Sequence, residues 1–94
     1  MELEKIRKEI DSIDWELLHL FNRRFELALM AKRHKKEIHD PSREAEILKK
    51  LGHLSSSFRI VRPDFIEKMF RDIFQESRRI QKEAGTPMDF KSRR

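Results

Sequence analysis

The most restrictive feature of this chain is its opening stretch, because neither glycine nor proline interrupts residues 3–36. A row of residues there, apolar except for one arginine, recurs in steps of three and four, which predicts a helix packed lengthwise against others. This row comprises Leu3, Ile6, Ile10, Ile13, Leu17, Leu20, Arg24, Leu27 and Ala31. Such a helix is roughly 50 Å long, whereas a compact domain of this size is only about 30 Å across. Its far half needs cover from another chain, so we expect an intertwined homodimer built around it.

Two further helices are predicted after this one. Asp40 is a suitable N-cap and Pro41 suits the first helical position, so a second helix should begin there. Gly52 is expected to end it, since glycine is the usual residue just beyond a helix C-terminus. After a loop, Pro63 opens a third helix that should end before Gly85.

Composition supports an all-α fold. Two glycines and three prolines are too few for the turns of an all-β chain, and the absence of cysteine excludes disulfide and thiolate chemistry. The longest apolar run, residues 27–31, is far shorter than the ~20 residues of a membrane span, and no signal-peptide pattern is present, so we expect a cytoplasmic protein. We expect residues 1–84 to form the helical domain and residues 85–94 to be a disordered basic tail. The net charge of +5 favours an anionic partner.

Three polar residues stand on otherwise apolar helical stripes. Arg24 lies in the row of the first helix, and burying a guanidinium is costly unless an anion meets it. That anion is either a carboxylate of a neighbouring helix or a ligand. Ser77 and Gln81 lie one turn apart on the third helix, where they either bond to the backbone and across the bundle or contact a ligand.

Further charged candidates surround these positions. Each has a simpler explanation: Lys35 suits a helix C-terminus, Asp40 and Glu44 suit a helix N-terminus, and Arg7 can pair with Asp11 on the surface. The capping explanation does not require Arg43, which a three-helix fold would turn inward with the others. Taken together, cations, neutral donors and hydroxyl acceptors predict a pocket for a small polyanion that carries a hydroxyl group. The four histidines show no metal-ligand spacing, and we expect no metal or cofactor.

The ordered set of these residues closely resembles the all-helical class of chorismate mutases. The matching stretches are residues 6–14 and 23–28, Lys35, residues 40–44 and residues 76–81. The resemblance implies a homodimer with shared active sites that catalyses the Claisen rearrangement of chorismate, a dicarboxylate, to prephenate in the shikimate route to phenylalanine and tyrosine. No second domain is attached, so a monofunctional isomerase is expected.

The resemblance also implies a role for each candidate. Arg24 and the partner's Arg7 would bind the two carboxylates, with Arg43 and Ser77 assisting.

The remaining four positions would act on the ether oxygen and the ring hydroxyl. Lys35 and Gln81 would donate to the ether oxygen as the C–O bond breaks, and Glu44, with Asp40, would hold the ring hydroxyl. The reaction needs no cofactor.

Three alternatives compete with this interpretation. An isochorismate-pyruvate lyase of the same fold also holds a dicarboxylate, but such lyases lack the acidic residues that match Asp40 and Glu44. A basic helical dimer could bind nucleic acid through residues 32–36, which would leave Ser77 and Gln81 unexplained. A plain helical interaction module would show neither turnover nor stabilisation by a ligand.

Overall fold

The computed structural model of the protein describes residues 2–84, which form three helices and no strand. Helix α1 spans Leu3–Lys32, α2 spans Pro41–Ser55 and α3 spans Pro63–Ala84. The all-α prediction is therefore confirmed for the described part of the chain, whereas the expected tail at residues 85–94 lies outside it. None of the described helices is long and apolar enough to cross a membrane.

Helix α3 organises the packing, because it contacts both α1 and α2. Its inward stripe follows helical spacing and has the most buried side chains of the described chain, including Ile73 and Phe74. Two polar residues, Ser77 and Gln81, lie on this same stripe and are buried with the apolar ones. The small core is thus polar at one end, and that end borders the candidate site.

Most of α1 projects beyond this core. None of its residues is buried, and the row of apolar side chains between Leu3 and Leu20 is open to solvent, with Leu3 58%, Ile10 51% and Leu20 64% exposed. The radius of gyration is 16.4 Å, against about 12 Å for a compact chain of this length. A protomer alone leaves this row uncovered, and the intertwined homodimer stays a prediction.

Helix α1 ends at Lys32, although the next four residues contain neither glycine nor proline. Backbone N–H groups of the residues after the helix bond three residues back: His34 N–H donates to Ala31 O at 2.9 Å and Lys35 N–H to Lys32 O at 3.2 Å. Such bonds tighten the last turn and satisfy carbonyls that a helix end leaves unpaired. Lys35 therefore lies on the connection to α2 rather than on the helix itself.

The ends of α2 show one confirmed prediction and one error. Asp40 is its N-cap as predicted, since the carboxylate accepts a hydrogen bond from Arg43 N–H at 3.1 Å. Gly52 does not end the helix, which continues to Ser55. The three consecutive serines make the glycine unnecessary as a stop, because their hydroxyls donate to the carbonyls of residues 52–54 at 3.0, 2.7 and 2.9 Å.

Candidate active site

The three helices enclose one side of a cavity of about 470 Å³, a size typical of small-molecule sites. Helix α1, the connection to α2, α2 itself and α3 all contribute to it. Its lining residues are Arg24, Leu27, Ala28, Ala31, Lys35, Ile38, Asp40, Arg43, Glu44, Ile47, Phe74, Ser77, Arg78 and Gln81. Seven of the eight predicted site residues are in this set.

Arg24 is held in the cavity by α3. Its Nη1 donates to Ser77 Oγ at 3.3 Å, and its Cζ lies 5.8 Å and 5.7 Å from the ring centroids of Phe70 and Phe74. Burial, and secondly the positive charge of Arg43, lower the pKa of Arg24 from its ordinary value. In the part of the chain that the structure describes, no carboxylate pairs with this guanidinium, so the internal salt bridge considered from the sequence is not formed. The cation is oriented by neutral partners and is available to an anion.

Lys35 and Gln81 meet at the next position in the cavity. Lys35 Nζ donates to Ile38 O at 2.7 Å and to Gln81 Oε1 at 3.4 Å, while Gln81 Nε2 donates to Ala28 O at 2.7 Å. Gln81 is only 3% exposed, so these bonds fix the direction of its amide. An ammonium has three N–H donors and an amide has two, which leaves each group one donor beyond these bonds.

The first turn of α2 supplies the acidic side of the cavity. Asp40 serves as the helix cap and also lines the cavity, so its capping role does not remove it from the site. Arg43 lies at the rim, where its guanidinium pairs with exposed Glu46. Glu44 lies deeper, with its side chain 23% exposed.

Glu44 is held by a residue that sequence reasoning missed. Arg78 Nη1 donates to Glu44 Oε2, which joins α3 to α2 across the cavity wall. The other carboxylate oxygen, Oε1, lies 3.8 Å from His39 Nε2. A signal was present in the sequence, since Arg78 lies three residues before Gln81 and such spacing places two residues on one helix face.

Arg7 is the predicted site residue that this protomer does not bring to the cavity. Its side chain is exposed, and its Nη1 lies 3.8 Å from Glu4 Oε1 rather than beside Asp11. Among the described residues, no group of three histidine, aspartate or glutamate side chains is placed to hold a metal ion. The cavity lining itself offers cations, the amide of Gln81 and two carboxylates.

Comparisons with known proteins point to one family. A model of the family described as chorismate mutase type II matches residues 6–82. A protein of Aquifex aeolicus (strain VF5), named bifunctional chorismate mutase/prephenate dehydratase, is 45% identical over 58 residues, which cover 57% of this chain. This chain matches only 16% of the length of that relative. No solved structure matches the chain significantly.

Proposed function

This chain belongs to the chorismate mutase type II family, and from that membership we propose that it catalyses the rearrangement of chorismate to prephenate. The observation that carries the proposal is the cavity itself. There Arg24, free of any carboxylate partner among the described residues, faces the same space as the linked Lys35 and Gln81. A doubly negative substrate would supply the negative charge that Arg24 and Lys35 need as a partner.

Arg24 is the residue that would bind the first carboxylate. Its contacts with Ser77 and with two aromatic rings direct the guanidinium without consuming its charge, and Arg43 adds a second cation at the rim. Hydrogen bonds between ionised groups are roughly twice as strong as neutral ones, and a guanidinium binds a carboxylate through two of them. The second carboxylate would bind the partner's Arg7.

Lys35 and Gln81 would act on the ether oxygen. In this rearrangement the C–O ether bond breaks while a C–C bond forms within the same molecule, so product and substrate are isomers and no co-reactant is consumed. Negative charge grows on the departing oxygen, and each of the two side chains retains one donor for it. One such preorganised donor is typically worth ~3–4 kcal/mol of barrier reduction.

Holding the substrate in its reactive conformation would also raise the rate of the rearrangement. The substrate must fold so that its reacting carbon atoms approach each other, and anchoring both ends favours this near-attack conformer. Glu44, with Asp40, would hold the ring hydroxyl on the acidic side of the cavity. The carboxylates of Asp40 and Glu44 argue against an isochorismate-pyruvate lyase, because lyases of this fold lack acidic residues at the matching positions.

The uncovered row on α1 supports a homodimer. Leu17 and Leu20 are 44% and 64% exposed, and exposed apolar patches of this length usually mark an interface. A second copy with an antiparallel α1 would cover the row and would bring its own Arg7 towards the cavity of the first. Light scattering on the purified protein tests this, and a monomer at micromolar concentration would contradict it.

The proposed activity is tested by incubating the purified protein with chorismate and, separately, with isochorismate, and separating the products by chromatography. We expect prephenate from chorismate and no reaction with isochorismate. Formation of salicylate and pyruvate from isochorismate, with chorismate untouched, would instead establish the lyase. No turnover of either compound, together with salt-sensitive binding of an oligonucleotide, would favour the basic nucleic-acid-binding dimer.

A further inference from the structure

Arg78 forms an unusual ion pair for this protein. Of the ion pairs among the described residues, most join neighbours on one helix or one loop, and their cations are at least half exposed. The pair between Arg78 and Glu44 instead joins α3 to α2, and the two side chains are only 31% and 23% exposed. It also lies in the cavity wall, where both residues line the space that a substrate would occupy.

The pair leaves Glu44 with one oxygen to offer. Arg78 engages Oε2, whereas Oε1 accepts no hydrogen bond from the residues that the structure describes. His39 Nε2 lies 3.8 Å from Oε1, which is beyond hydrogen-bonding distance. A free glutamate side chain rotates about three bonds and presents either oxygen in many directions. Here the guanidinium selects one oxygen and one direction.

We propose that Arg78 is a positioning residue that holds the Glu44 carboxylate so that Oε1 accepts the hydrogen bond of the substrate's ring hydroxyl. The inference rests on the proposed function, in which Glu44 binds that hydroxyl. It adds that the acceptor is aimed by α3, the same helix that carries Ser77 and Gln81. Specificity for the hydroxyl therefore depends on a residue that does not touch it.

This role predicts a particular kinetic pattern. The ring hydroxyl takes no part in bond breaking, so its hydrogen bond is the same in the bound substrate and in the transition state. Loss of such uniform binding raises KM and leaves kcat unchanged. A clamp that merely kept α2 on α3 would, when removed, misplace the other groups and lower kcat as well.

The test compares Arg78→Met with the wild type on chorismate and on an analogue in which hydrogen replaces the ring hydroxyl. We expect Arg78→Met to raise KM for chorismate about tenfold, with kcat within about twofold, because a hydrogen bond to a charged group is lost. With the analogue, the same substitution should change KM by less than about threefold, since no hydroxyl is there to be misdirected. Arg78→Lys should restore part of the affinity for chorismate.

Arg79→Met is the matched control. It removes the same charge from the adjacent position, where Arg79 pairs with Glu76 and Glu83 away from the cavity, and its kinetics should equal those of the wild type. Circular dichroism during heating shows whether each variant is folded. If Arg78→Met does not fold, Arg78→Lys is compared with the wild type in its place. Equal losses on chorismate and on the analogue, or a fall in kcat alone, would overturn the role of Arg78. Absence of turnover by the wild type would overturn the proposed function, and this inference with it.

Discussion

Replacing Arg24 by methionine should separate activity from stability. Methionine keeps an unbranched apolar stem against Phe70 and Phe74 but cannot bind a carboxylate. Two charge-assisted hydrogen bonds to the substrate would be lost, each worth about 1.5–3 kcal/mol, or roughly 3–6 kcal/mol together. Since about 1.4 kcal/mol corresponds to a factor of ten, kcat/KM should fall by about two to four orders of magnitude.

The free energy of unfolding should change little. Arg24→Met gives up a 3.3 Å hydrogen bond to Ser77, worth about 1 kcal/mol, and contacts with two rings, worth about 0.5–2 kcal/mol. It also removes a partly buried cation that has no carboxylate partner among the described residues, and burial of that cation opposes its charge. These contributions have opposite signs, so we expect a net change of about 1 kcal/mol or less.

The assay pairs chorismate consumption with thermal unfolding, and the neighbouring Arg23 provides the control. The side chain of Arg23 is 63% exposed and pairs with Glu26 on the surface, so Arg23→Met should retain full activity. A rate for Arg24→Met within a factor of three of the wild type would refute the assignment of Arg24 to the substrate. Loss of activity in both variants would point to a general effect of charge.

Three further outcomes are expected. Gly52→Ala should raise the stability by about 0.5–1 kcal/mol, measured by thermal unfolding, because Gly52 is helical and a Cβ there would meet nothing within 4 Å. Activity should not fall steeply between pH 5 and 7 while the fold is intact, because the Gln81 amide donates at any pH; a steep loss would remove Gln81 from the ether oxygen. Mixing inactive Arg7→Ala and Arg24→Ala proteins should restore about one quarter of the wild-type rate after subunit exchange, since half the dimers then carry one unaltered site of two. Proven exchange without recovery would argue against shared sites.

The polar residues of the core stripe could be recognised from the sequence because they break a regular pattern. Ser77 and Gln81 interrupt an apolar face, and the structure buries both of them beside the cavity. Arg24 interrupts the row on α1 in the same way, and its guanidinium reaches Ser77. A polar group on a buried face must find partners, so such interruptions carry information that composition does not.

Lys35 and Arg78 show where the pattern is insufficient. Helical spacing places Lys35 about 16 Å from Arg24 on a continuous helix, whereas α1 ends at Lys32 and the ammonium of Lys35 reaches Gln81 from the connection that follows. The spacing of three residues from Gln81 places Arg78 rather than Arg79 on the cavity face of α3, but it does not tell which group Arg78 pairs with. That depends on how α2 packs against α3, because Glu44 is 34 residues away in the chain. Contacts between helices far apart in sequence are set by packing, and periodicity within one helix does not contain them.

A second copy of the chain would account for two features of the protomer, the separation of Arg7 from Arg24 and the exposed apolar row of α1. Arg7 and Arg24 are 17 residues apart on one helix, roughly 25 Å, so they cannot bind the same small molecule within one chain. The apolar row between them is exposed although it has the periodicity of a packed helix. An antiparallel second α1 would cover that row and would place its amino-terminal half beside the open side of the cavity. Association and completion of the site are then one event, which predicts that activity per chain falls on dilution below the dissociation constant of the dimer.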